Sequence, residues 1–253
     1  MKIGAQLYTV REHTQTAEDF AATIKKVADM GYKYVQVSAI GPIPVQEVAD
    51  ICKANGVGIS ITHTNPARIK DETEAVIEEH RIMGASYIGI GAMPGGYERN
   101  AEGVKRFIVD YTPAAEKIHA AGMTLMYHNH AFEFEKYDGK LMMDYLADEF
   151  PQIGFTLDTY WVQAGGADPA AWIKKLSGRV GVIHFKDMAW ADGNQLMAEV
   201  MEGNLNWESI FIASREAGVK YAMVEQDNCY GADPFKCLKT SFDNIDGFPK
   251  GAL

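Results

Sequence analysis

The chain is poor in cysteine and short of positive charge, and it contains no long apolar run. Its three cysteines, Cys52, Cys229 and Cys237, cannot build a disulfide framework and lack zinc-ribbon spacing. They read as ordinary reduced thiols of a cytoplasmic protein. Lys and Arg number 24 against 34 Asp and Glu, a formal net charge of −10. A phosphate backbone rewards clustered cations, so this balance speaks against nucleic acid as a partner, and an anionic membrane surface is disfavoured on the same ground. No window approaches the ~18 consecutive apolar residues of a membrane helix. The segment MKIGAQLYTVRE meets Arg11 and Glu12 before any apolar stretch develops, so a secretory leader is not expected. Linkers, low-complexity tracts and nucleotide-type Gly-rich loops are also missing.

What is present is an ordinary globular composition, 47% hydrophobic and 23% charged over 253 residues. That length is what an α/β barrel fills as one domain. Short β-like runs alternate with amphipathic helical stretches throughout. The pattern predicts strands over 2–8, 34–37, 57–62, 87–90, 124–128, 154–158, 179–185 and 221–225. The first helix opens at Thr16 with Glu18 and Asp19, repeats Phe20, Ile24 and Val27 at helical spacing, and stops at Gly31. Further helices are predicted at about 44–54, 71–83, 101–121, 139–149, 169–176, 207–217 and 234–245. Eight such units leave about 32 residues each, the size of a βαβ building block. A single-domain (β/α)8 TIM barrel over residues 1–253 is the expected fold.

A barrel of this kind builds its site at the C-terminal ends of its strands. The first predicted strand ends near Gln6 and Tyr8, the second near Gln36 and the third at His63. The fifth ends at His128 and His130, the sixth at Asp158, the seventh at His184 and the eighth at Glu225. Buried ionisable groups are costly unless paired or metal-bound, and strands five to eight bring them to one rim. The chemistry that fits is one divalent metal ion, Mn2+, Co2+, Fe2+, Zn2+ or Mg2+. Asp158, His184 and Glu225 are candidate ligands, with His128 preferred as the fourth because it directly ends the apolar run; His130 and Glu133 stay open for that place. Lys186 lies two residues after His184, hence on the same side, and is a candidate to stabilise an oxyanion. His63, Glu133, Gln6 and Trp161 are candidate substrate contacts, and Tyr160 and Trp190 are further candidates to stack on a sugar ring.

Seven stretches then carry a resemblance over essentially the whole chain. They are GAQLYTVR (4–11), THT (62–64), YHNHAFEFE (127–135), GFTLDTYW (154–161), IHFKD (183–187), EGNLNW (202–207) and VEQD (224–227). Together they resemble the xylose-isomerase-like TIM-barrel superfamily, in the branch called sugar phosphate isomerase/epimerase. The resemblance implies a metal-dependent isomerase or epimerase of a small sugar or keto-sugar. Such an enzyme abstracts a proton α to a carbonyl through a metal-stabilised enediolate, with Asp158, His184 and Glu225 as ligands. It also implies that a homo-oligomer is to be expected.

The chain departs from the epimerase pattern of Glu, Asp, His, Glu at three places. His128 stands where the strand-five Glu is found, Gln36 where a Glu commonly ends strand two, and Trp161 where the epimerases carry His. The second proton-transferring carboxylate is thereby missing, and His128, His130 or Glu133 would have to replace it beside Glu225. A lyase or hydratase acting on 3-keto-glycosides or keto-polyols by β-elimination needs only one base, and it is the runner-up. A non-catalytic sugar-binding barrel fits the ionisable cluster poorly. A DNA-repair endonuclease of the superfamily would need extra metal-binding residues and a basic face, which the chain lacks.

Overall fold

A computed structural model describes residues 1–249 of the chain. Residues 250–253, which the sequence assigns to the same barrel domain, lie outside the described residues. Eight parallel strands close into a barrel. They are β1 (Lys2–Gln6), β2 (Tyr34–Val37), β3 (Gly58–His63), β4 (Tyr87–Ile90), β5 (Thr124–His128), β6 (Gly154–Asp158), β7 (Val182–Phe185) and β8 (Tyr221–Val224). Each pairs with the next, and β8 closes the ring on β1 with Ala5 opposite Val224. The register between β2 and β3 slips at Val35/Gln36. Among the described residues, no helix is long and apolar enough to cross a membrane.

Two apolar cores follow from the strand period of two. Outward side chains such as Val35, Ile88, Leu125, Phe155 and Ile183 pack under the helices with Phe20, Val104, Phe107 and Phe211. Inward ones form a separate plug of Ile61, Tyr87, Met126, Val182 and Met223, closed by Tyr34 and Tyr221. Two residues further along most of these strands the inward position becomes polar, so the plug is the floor of the site.

The helices start where local chemistry lets them. Thr16 Oγ1 accepts from the Asp19 amide at 3.1 Å and opens the helix Ala17–Asp29. The structure also corrects several expected boundaries. β1 ends at Gln6 rather than Tyr8, because the Gln6 side-chain oxygen accepts from the Tyr8 amide at 3.1 Å and starts a 3-10 turn, Leu7–His13. The helix expected over 71–83 is two, Pro66–Asp71 and Thr73–Met83, since Asn65 and Pro66 start the first a turn earlier. The helix expected over 139–149 begins at Met142, after a hairpin of Lys136–Tyr137 with Lys140–Leu141. β7 begins at Val182 rather than 179. Arg179 instead donates to the carbonyls of Phe150 and Ile153.

A helix Thr159–Ala164 and an antiparallel hairpin, Asp187–Ala191 with Asn194–Ala198, had no counterpart in the expected pattern. The hairpin is anchored by Asp187, whose buried carboxylate accepts from the amides of Met188, Met201, Gly203 and Leu205 and from the Trp207 indole.

Candidate functional site

The inward alternation brings Gln6, Gln36, His63, His128, Asp158, His184 and Glu225 together above the plug, and all but His63 are buried. β4 contributes no side chain to this layer. A Cβ on Gly89 would lie 2.4 Å from the Thr62 carbonyl oxygen and 3.1 Å from His63, and one on Gly91 would lie 3.2 Å from His63 Nδ1. Glycine there makes room for the His63 ring.

His128, Asp158, His184 and Glu225 form a buried group whose ligand atoms all lie within 4.8 Å of one another. Three of the four are oriented from behind. His128 Nδ1 donates to the Gly91 carbonyl at 2.8 Å, which turns Nε2 toward Asp158 Oδ2 at 3.4 Å. His184 Nε2 donates to Gln36 Oε1 at 2.7 Å, which turns Nδ1 onto Glu225 Oε2 at 2.9 Å and Asp158 Oδ2 at 3.7 Å. Asp158 caps the helix Thr159–Ala164, its Oδ1 accepting from the Trp161 amide at 2.9 Å, so Oδ2 alone faces the cluster. Outer hydrogen bonds that fix the tautomer of a histidine and aim its free nitrogen inward are the arrangement metal sites use. Two imidazoles and two carboxylates, buried and converging, fit a divalent ion of the Mn, Fe, Co or Zn type.

Lys186 stands beside this group, 1% exposed. Its Nζ lies 3.2 Å from Asp158 Oδ2, 3.0 Å from Glu225 Oε2 and 2.7 Å from Asp227 Oδ1. Burial opposes every charge here, but opposite charges override it. Lys186 and His184 hold the Glu225 carboxyl well below its usual range, and Lys186 does the same for Asp158. Burial likewise disfavours the charged His184, yet Glu225 and Asp158 push it up to about 9.

The other expected site residues separate into two groups. Gln6 Nε2, His63 Nε2, His130 Nδ1, Trp161 Nε1 and also Gln36 Nε2 are buried without a protein partner. They leave unspent hydrogen-bonding capacity around the cluster. The His63 ring lies 5.1 Å from that of His128, and the His130 ring 4.8 Å from it on another side and 5.3 Å from Trp161. Burial, then the neighbouring His128, keeps His63 neutral and lowers His130 to about 3.

Glu133 is different. It accepts from the Tyr127 hydroxyl at 2.8 Å and from the His130 amide at 2.7 Å, so both oxygens are engaged inside the protein. Burial pushes its carboxyl up to about 7. Trp190, 67% exposed, sits on the hairpin, outside the buried layer. A surface hollow of about 460 Å3 lies at the start of β3, between Asp50, Lys53 and Arg81, at the far end of the barrel from this chemistry.

Sequence reasoning named neither Asp227 nor Gly89 and Gly91 as part of the site. Asp227 follows Glu225 by two positions, and the same-side rule that singled out Lys186 applies to it equally.

Fold and cluster together define an α/β barrel with a buried His/Asp/His/Glu centre at its strand ends. Residues 24–236 match the family model of the xylose isomerase-like TIM barrel, and the chain belongs to that family. No curated protein matches it in sequence. Among solved structures it is similar to a sugar phosphate isomerase/epimerase from Parabacteroides distasonis, at 24% identity and TM-score 0.84, covering 98% of each chain. An L-ribulose 3-epimerase superposes with TM-score 0.73 at 15% identity, over 97% of this chain and 94% of that one. A probable 3-DHS dehydratase from Bacillus anthracis does so with TM-score 0.74 at 13% identity, over 98% of this chain and 100% of that one. At these identities the likeness is one of fold.

Proposed function

We propose that the chain is a divalent-metal-dependent enzyme that isomerises or epimerises a small sugar or keto-sugar by removing a proton α to a carbonyl. One observation carries the reading. His128 Nε2 and His184 Nδ1 are both turned onto Asp158 Oδ2, at 3.4 and 3.7 Å, beside Glu225. The family and its epimerase neighbours for L-ribulose and D-allulose support the substrate class.

His128, Asp158, His184 and Glu225 would hold the ion, which would supply Lewis-acid polarisation of the carbonyl oxygen. Glu225, ionised beside Lys186, takes the C–H proton as the C–H electron pair moves toward that oxygen. The Lys186 ammonium meets the charge that develops on the oxygen. His130, neutral and with Nδ1 unpaired, is the second group available to exchange a proton. Gln6, His63 and Trp161 offer donors to substrate hydroxyls. Glu133 is better placed to hold the His130 loop than to touch substrate.

A second reading, a lyase or hydratase on a 3-keto-glycoside or keto-polyol, is favoured by that last contact. With Glu133 engaged and His128 on β5, Glu225 is the candidate base, and elimination needs one base. Proton NMR in deuterated buffer separates the two, using the Mn2+- or Mg2+-loaded protein with a panel of ketoses and 3-keto-glycosides. Deuterium at the α carbon of an intact sugar supports isomerisation. Release of water or an aglycone supports the lyase, and no exchange with any member counts against both.

A further inference from the structure

Lys186 occupies the position its neighbours would have to give up. Its ammonium is ion-paired with Asp158 Oδ2 and Glu225 Oε2, at 3.2 and 3.0 Å. Those are the two carboxylate oxygens that His184 Nδ1 also faces, and hence the two that a divalent ion in this cluster would use. A metal cation and an ammonium against the same oxygen compete for its negative charge, and their like charges repel at this range.

The third partner differs. Asp227 lies outside the cluster of candidate ligands and holds Nζ at 2.7 Å, shorter than either of the others. Charge points the same way. Three carboxylates (Asp158, Glu225, Asp227) face the Lys186 ammonium, so Asp227 supplies a counter-charge that remains when the other two hold an ion. Asp227 is not needed as a ligand, and it balances a lysine that would otherwise be buried beside the ion with no counter-charge of its own.

We propose that Lys186 and a divalent ion are alternative partners of the Asp158–Glu225 oxygen pair, and that Asp227 is the positioning residue that retains Lys186 when the ion enters. Metal loading and placement of the substrate-facing ammonium are then one event. The inference rests on the metal reading of the cluster, and its test separates the two.

The test is a double-mutant cycle read as the Mn2+ dissociation constant by calorimetry, on metal-stripped wild type, Lys186→Met, Asp227→Asn and the double variant. Lys186→Met removes the competitor and should bind Mn2+ about tenfold tighter than wild type. Asp227→Asn should weaken binding about tenfold in the wild-type background and no more than about twofold with Lys186→Met. Coupling of that sign is the signature, because a mere loss of distant negative charge weakens both backgrounds alike. Equal effects of Asp227→Asn in the two backgrounds, or no gain from Lys186→Met, overturn the proposal while leaving the metal site standing. If Mn2+ binds none of the four proteins, the metal reading falls and the proposal with it. Lys186→Gln replaces Lys186→Met in the cycle should the latter not fold.

Discussion

The Nδ1–H of His128 donates to the carbonyl oxygen of Gly91 at 2.8 Å. That bond commits the ring, since a neutral imidazole that donates from Nδ1 carries a lone pair on Nε2. Here Nε2 points at a carboxylate oxygen of Asp158, 3.4 Å away. A cation placed between this nitrogen and that oxygen would be met by both. Gly91, which follows β4 and supplies the carbonyl, is also a residue whose missing side chain leaves room for His63. One backbone position thus serves two histidines.

The fit at β4 predicts a stability effect. Gly89→Ala would place a methyl group 2.4 Å from the Thr62 carbonyl oxygen, which is backbone and cannot rotate away. The barrel should lose about 1–3 kcal/mol, read as a lowered urea midpoint at unchanged m-value. An unchanged midpoint means that β3 and β4 are looser there than the packing indicates.

The Asp187 carboxylate organises the segment after β7. Asp187→Asn turns an NH2 group toward donors and should cost about 3 kcal/mol, seen in thermal melts. Metal content should stay the same, because Asp187 is no part of the cluster. Loss of metal with no change in stability would contradict this division of labour.

Glu133 predicts a pH dependence. Its buried carboxyl is pushed from 4.5 up to about 7, so within that window the folded chain holds a proton that the unfolded chain has released. The stabilisation is complete below about 4.5 and is lost as pH rises through about 7. Relative to Glu133→Gln, which does not titrate, wild type should lose on the order of 3 kcal/mol across the window. Paired urea titrations at its two ends read the difference, and a difference that does not change with pH refutes it.

Much of the fold was legible because a barrel repeats one rule. Strands β2, β4, β5 and β6 lie where their apolar runs place them, and their polar ends mark the mouth. The features that escaped depend on side chains reaching across the chain. Gln6 ends β1 by capping the next turn, and Arg179 is drawn out of β7 by carbonyls of residues 150 and 153. Asp187 gathers amides from 188 to 205, and periodicity carries no trace of that. Within the site, His128, Asp158, His184 and Glu225 stood at strand ends and could be named one by one. Asp227 was readable by the two-residue spacing but lay past the strand. The roles of Gly89, Gly91 and Gln36 depend on neighbours from other strands, which the sequence does not place.

The central claim is that His128, Asp158, His184 and Glu225 form one divalent-metal site. Elemental analysis after equilibration with Mn2+ and desalting tests it most directly, on wild type, Asp158→Asn and Glu225→Gln. The account predicts about one equivalent of metal in wild type and less than about a tenth of that in either variant. Full metal content retained by both folded variants would contradict it.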